Sequence, residues 1–209
     1  MNYRITGTGS CIPDITKKNS DFLENKFLDT DGGKFQTSNS EIIDKFNSIT
    51  GIYERRYAPD EINCSDLAAV AAGLAINDSK LDQETLDYII VAHNTGDISC
   101  SSGQVDTLPS VASKVKAKLK IKNPNCVAYD IICGCPGWVE GIIQAKSFIK
   151  SGMAEKCLVI GCDTLSRILD DNDRDSMIYA DGSGAIVLES DSSYAVSYTH
   201  LTLPTNGCV

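Results

Sequence analysis

The stretch Tyr129-Asp130-Ile131-Ile132-Cys133-Gly134-Cys135-Pro136-Gly137-Trp138 reads as a strand, a tight turn and the opening of a helix. Tyr129 to Ile132 closes a largely apolar run from Cys126 that has the length of a buried strand, and Gly134 lets the chain turn. Pro136 suits the first position of a helix, where its missing N–H would have had no partner. The helix then runs to Lys150, with Trp138, Ile142, Ala145 and Ile149 in one stripe.

Similar units flank it. Short apolar runs bounded by turn residues recur at Tyr3 to Gly7, Leu86 to Ala92, Cys126 to Ile132, Lys156 to Gly161 and Ala185 to Leu188. Between them, Ser65 to Asn77 carries Leu67, Ala71 and Leu74 at helical spacing, with Ser65 and Asp66 as cap and first-turn acid. Pro109 to Lys120 places Val111, Val115 and Leu119 in another stripe. Short strands alternating with helices of this length predict an α/β layer structure, in which ligands sit beyond the C-terminal ends of strands.

Composition limits the function classes. The chain has 209 residues, 42% hydrophobic and 22% charged, the profile of a globular protein. Its 19 Lys+Arg against 28 Asp+Glu give a net charge of -9, which argues against nucleic acid or an anionic membrane as a general partner. No run is long and apolar enough to insert in a membrane, and the opening Met1-Asn2-Tyr3-Arg4-Ile5-Thr6 lacks the regions of a signal peptide, so a cytoplasmic location is expected. The nine cysteines are odd in number and scattered through strand-like runs, and most read as reduced core thiols. Cys133-Gly134-Cys135 has one spacer residue, and two histidines leave no second half for a zinc site, so no metal is expected.

In the strand-turn-helix unit, Cys135 falls at or beside the helix N-cap. Free N–H groups and the positive end of the helix dipole there favour a thiolate, and a backbone N–H of the same turn is placed to donate to an oxyanion. Local chemistry leaves two readings open, a nucleophile or one more buried thiol. Cys133, two residues earlier at the end of the strand, reads as a packing residue.

Five separated blocks resemble the β-ketoacyl-acyl-carrier-protein synthase III family, in order. They are Gly7-Thr8-Gly9-Ser10 with Pro13; Thr50-Gly51-Ile52 with Glu54-Arg55; and Tyr129-Asp130 leading to Cys135 and Gly137. The last two are Val159-Ile160-Gly161 with Asp163 and Asp173-Arg174, and Asp181-Gly182-Ser183-Gly184-Ala185. The resemblance implies the N-terminal half of a thiolase-like fold over residues 1–195, a mixed five-stranded sheet with helices on both faces, the C-terminal half missing. It implies that Cys135 takes an acyl group from acyl-CoA and condenses it with malonyl-acyl carrier protein, losing carbon dioxide. Fatty acid or related biosynthesis would be the setting. Acyl-CoA and acyl carrier protein are then substrates and partners, no resident cofactor is needed, and the full-length protein is a homodimer. The alternatives are a non-decarboxylating thiolase-fold acyltransferase or an inert truncated fragment.

By the same resemblance, the catalytic His and Asn and one oxyanion-hole glycine belong to the second half. His93 lies after the strand Tyr88 to Ala92 and reads either as a partner of Cys135 or, in line with the family, as a loop or pocket-lining residue. Arg174 and Thr50 match the family's CoA site, whereas its adenine-stacking Trp and Arg align with Lys45 and Ile49. Arg174 reads as a phosphate or base contact, or as a surface residue of an acidic run. The Asn94 to Leu108 loop is longer than the family's usual one. Leu108 matches a position that closes the acyl pocket from the partner subunit, with ordinary loop packing as the alternative. The final stretch, residues 196–209, continues no strand or helix pattern; it reads as a non-native tail resembling adapter read-through, or else as a native terminal loop.

Overall fold

The structure, a computed structural model, describes residues 2–191; the tail reading falls outside the described residues. The strands are β1 (Asn2–Cys11), β2 (Ile15–Lys18), β3 (Glu54–Tyr57), β4 (Tyr88–His93), β5 (Asp97–Ile98), β6 (Val105–Asp106), β7 (Val127–Ile132), β8 (Lys156–Thr164) and β9 (Asp181–Asp191). The helices are α1 (Asn39–Thr50), α2 (Cys64–Ser79), α3 (Val111–Lys118) and α4 (Gly137–Ser151).

The five apolar runs of the sequence become one five-stranded sheet in the order β1-β9-β8-β4-β7. β4 pairs parallel with both β7 and β8, and β9 pairs antiparallel with β8 and β1. The central strands β4 and β8 read as continuous apolar runs because both of their faces are covered. On one face, Ile89 and Val91 of β4, Leu158 and Ile160 of β8 and Val187 of β9 pack with α2 and α3. On the other, Ile90, Cys157, Val159, Ile186 and Leu188 pack under Ala145 and Ile149 of α4. Each of these side chains removed from water is worth about 2 kcal/mol, so the sheet is where the stability concentrates.

The contact of α2 with β1 is made backbone to backbone. Ala68, Ala71, Ala72 and Ala75 line the inner face of α2 and are fully buried. Opposite them stand Gly7 and Gly9, and a Cβ on Gly9 would lie 2.2 Å from the Ala71 carbonyl oxygen and 2.5 Å from the Ala75 nitrogen. The Thr8 N–H donates to Asp78 Oδ2 at 2.8 Å and fixes the register of helix against strand.

Caps fall close to the expected places. Asn63, rather than Ser65, is the N-cap of α2, and the Asp66 carboxylate accepts from its N–H at 2.9 Å. Ser110 caps α3 by accepting from Ser113 N–H. α1 starts with a Ser38/Glu41 capping box and stops at Gly51, whose φ of 70° is the left-handed conformation that glycine adopts without strain. A third, smaller cluster of Phe22, Phe27, Ile42, Ile43 and Met177 holds α1 against the 174–178 turn. Among the described residues, no helix is long and apolar enough to cross a membrane.

Candidate active site

Cys135 stands one residue before Pro136, the N-cap of α4, and is exposed. Pro136 already has helical dihedrals (φ -70°, ψ -11°), so the sequence placement of the cysteine at the helix mouth holds to within one residue. The turn is made by Gly134 at φ 65°, whose carbonyl accepts from Gly137 N–H at 2.9 Å. The Cys135 N–H has no hydrogen-bond acceptor among the described residues. Cys133 departs from expectation: β7 ends at Ile132, so this thiol lies in the turn and is exposed rather than packed.

Glycines set the height of α4 above the sheet. A Cβ on Gly137 would come 3.1 Å from Ala92 Cβ, and one on Gly141 would come 2.9 Å from Val159 Cγ1. Gly161 of β8 gives the same room to the Trp138 ring, 3.2 Å from where its Cβ would be. Rotation of the helix is fixed by Tyr129, whose hydroxyl donates to Gln144 Oε1 at 2.6 Å; burial pushes that phenol up to about 12. Strand, turn and helix thus hold Cys135 without help from a flexible side chain.

His93 is the last residue of β4 rather than a loop residue, and it is buried. Its Nε2 lies 3.0 Å from Asp130 Oδ2, and the same carboxylate accepts the N–H groups of Val111 and Ala112 at 2.7 and 2.8 Å. Burial pushes the Asp130 carboxyl up, but the hydrogen bonds from His93, Ala112 and Val111 outweigh it and hold it below the ordinary range. His93 and Asp130 therefore anchor the start of α3, a structural role that sequence reading missed. The next residue, Asn94, donates its backbone N–H and its Nδ2 to Asp163 at 2.8 and 2.7 Å. Its Oδ1 lies 3.5 Å from where a Cβ of Gly134 would be, which puts the Asn94–Asp163 pair against the cysteine turn.

The segment after Asn94 is not a plain loop. β5 and β6 form a small hairpin, with Asp97 paired to Asp106 and Ile98 to Val105. Buried Asp97 accepts from Ser65 N–H at 2.7 Å, Ser65 Oγ at 2.8 Å and Lys114 Nζ at 3.0 Å, tying the hairpin to α2 and α3. Leu108 at its end is 85% exposed among the described residues.

Arg174 and Thr50 are brought together in a cleft of about 530 Å³, which Lys45, Ile49, Phe46 and Tyr179 also line. Cys135 is not among its lining residues. The Arg174 guanidinium stacks 4.6 Å over the Phe35 ring and lies 3.9 Å from Asp175. The Thr50 hydroxyl donates to Phe46 C=O and accepts from Ile52 N–H, so it closes the end of α1 as well as facing the cleft. Among the described residues no group of three metal-ligating side chains occurs.

A family model described as 3-oxoacyl-[acyl-carrier-protein (ACP)] synthase III matches residues 129–207, which begin within β7 and include the cysteine turn. Along 208 residues the chain is 37% identical to the β-ketoacyl-[acyl-carrier-protein] synthase III of Neisseria gonorrhoeae, covering 99% of this chain and 58% of that protein. A synthase III of Vibrio parahaemolyticus is 37% identical over 202 residues. The crystal structure of 3-oxoacyl-[acyl-carrier-protein] synthase III from Aquifex aeolicus superimposes with a TM-score of 0.72 at 33% identity, over 91% of this chain and 55% of that one. The chain therefore spans little more than half the length of these relatives, and the match extends from β1 through the sheet to the cysteine turn. By sequence and by its thiolase-like half-fold, the chain is similar to the corresponding part of the β-ketoacyl-acyl-carrier-protein synthase III proteins.

Proposed function

We propose that this chain carries the acyl-accepting half of a 3-oxoacyl-acyl-carrier-protein synthase, with Cys135 as its nucleophile. One observation supports this most: an exposed thiol at the mouth of α4, behind a left-handed glycine turn, on a helix seated against the sheet by glycines. The Sγ attacks the carbonyl carbon of an acyl thioester, the carbonyl electrons move to oxygen, and the carrier thiolate leaves as the carbonyl reforms. The unpaired Cys135 N–H is one donor for that oxyanion; a second would come from the other half of the relatives' length. Condensation with malonyl-acyl carrier protein and loss of carbon dioxide would follow only in the whole protein, which supplies the His and Asn.

The cleft containing Arg174, Lys45 and Thr50 is our candidate for the CoA end of the donor, with two cations facing an apolar floor of Ile42, Phe46 and Met177. Lys45 offers a phosphate a point charge but no stacking surface for a base, so the nucleotide would be held differently from the family's sandwich. Acyl carrier protein as the second substrate, a homodimer of the full-length form, and a cytoplasmic setting without a resident cofactor complete the reading. The exposure of Leu108 supports the dimer, since that side chain is left largely uncovered among the described residues.

Intact-mass analysis after incubation with acyl-CoA tests the nucleophile. A single acyl adduct that maps to Cys135, survives Cys133→Ser and disappears in Cys135→Ser is expected. An adduct that persists in folded Cys135→Ser protein, or no adduct on the intact full-length enzyme, refutes the assignment.

A further inference from the structure

Two of the cysteines meet far from the nucleophile's turn. Cys64 is the first residue of α2 and is fully buried, and Cys162 lies on β8 with 4% of its surface exposed. They are 98 residues apart in the chain, and their sulfurs are 2.9 Å apart, the Cys64 thiol donating to Cys162. This separation is well inside ordinary contact between sulfurs and within about 1 Å of a bonded pair. Cys157, on the same strand, faces the opposite side of the sheet with α4, so the pairing is specific to one face.

We infer that Cys64 and Cys162 are a site of oxidative modification, forming a disulfide that pins the start of α2 to β8 without displacing either. The oxidant is a hydroperoxide. One thiolate attacks the O–O bond to give a sulfenic acid and releases water (or an alcohol); the second sulfur displaces the remaining oxygen as water. Two electrons and both thiol protons leave the protein, and the peroxide is reduced. The Cys64 hydrogen bond and burial hold the Cys162 thiol well above its ordinary pKa, so Cys162 rests as a thiol until an oxidant arrives.

The residues beside each cysteine give the crosslink its reach. Ser65 follows Cys64 and holds Asp97; Asp163 follows Cys162 and holds Asn94. The disulfide would therefore join the two supports of the 94–97 segment, which borders the Gly134 turn. This inference does not depend on the acyl-transfer reading.

The test uses the purified 209-residue chain, reduced, desalted and treated with hydrogen peroxide, then blocked with N-ethylmaleimide. The expected products have lost two titratable thiols and carry a link between tryptic peptides 57–80 and 157–167. Fragmentation should place that link at Cys162 rather than Cys157. Its melting midpoint should rise and return on adding dithiothreitol, and Cys64→Ala should abolish both effects. Oxidation of other thiols with no link at this pair, a link through Cys157, or a midpoint that falls on crosslinking overturns the inference.

Discussion

Replacing Gly9 by alanine adds one methyl group where α2 rests on β1. The new carbon would sit 2.2 Å from the Ala71 carbonyl oxygen and 2.5 Å from the Ala75 nitrogen, both helix backbone. No rotamer change relieves a clash with backbone, so the helix must lift by roughly 1 Å to restore normal contact. A gap of that size forfeits a quarter to a half of the dispersion energy along the buried alanine face, placing the cost near the top of the overpacking range, about 3 kcal/mol. For a chain of this size that corresponds to a melting midpoint lower by roughly 6–12 °C. Gly184→Ala is the matched control, because no atom lies within 4 Å of its added Cβ. Both variants lose similar backbone freedom in the unfolded state, so their difference isolates the clash. Urea and thermal unfolding followed by circular dichroism measure it. If Gly9→Ala and Gly184→Ala unfold at the same midpoint, the backbone-to-backbone account of the α2–β1 contact is wrong.

Other expectations concern the surroundings of the cysteine. Asp130→Asn should cost about 1–3 kcal/mol at neutral pH by weakening acceptance from His93, Val111 and Ala112. Because the folded-state pKa of Asp130 is depressed, its stabilisation is present above the unfolded value of about 4 and is lost as pH falls through the lower folded value. Stability measured against pH should therefore show a shallower acid limb in Asp130→Asn than in the parent. Gly134→Ala, at φ 65°, should cost about 1–2 kcal/mol and slow iodoacetamide labelling of Cys135, measured by peptide mass; an unchanged labelling rate would mean that the turn does not position the thiol. Arg167 donates to the carbonyls of Pro59, Ile62 and Ile98 and to Asn63 Oδ1, so Arg167→Lys should lower stability by roughly 2 kcal/mol in urea titration, since an ammonium cannot span that fork. Val139 and Ile143 on α4, together with Ile132, are exposed apolar residues, and the chain should self-associate on a sizing column as its concentration rises.

The sheet was legible chiefly from its central strands β4 and β8, which are buried on both faces and so carry uninterrupted apolar runs such as Cys157 to Ile160. α3 and α4 were legible from their stripes and from Pro109 and Pro136 near their starts; α2 was found, but Leu74 of its stripe is 48% exposed and the buried face runs through Ala68, Ala71, Ala72 and Ala75 instead. α1 was not read, although Ile42, Ile43, Phe46 and Ile49 recur on one helical face; the last of them, Ile49, is 72% exposed. The β5–β6 hairpin is two residues deep on each side, too short for any alternation to register. The cysteine turn was readable from Gly134 and Pro136, whereas Cys133 was misplaced by extending β7 one residue too far. His93 could not be read correctly, because its partner Asp130 lies 37 residues away on a neighbouring strand and only the parallel register joins them. Arg174, Thr50 and Lys45 were nominated by resemblance, and the third cluster brings the separated segments into one cleft.

The missing side chains at Gly137 and Gly141 make the sheet a datum surface for the reactive sulfur. With α4 grounded there, substitutions in the β5–β6 hairpin or at Leu108 can accumulate while the height of the Cys135 turn above the sheet stays where it was.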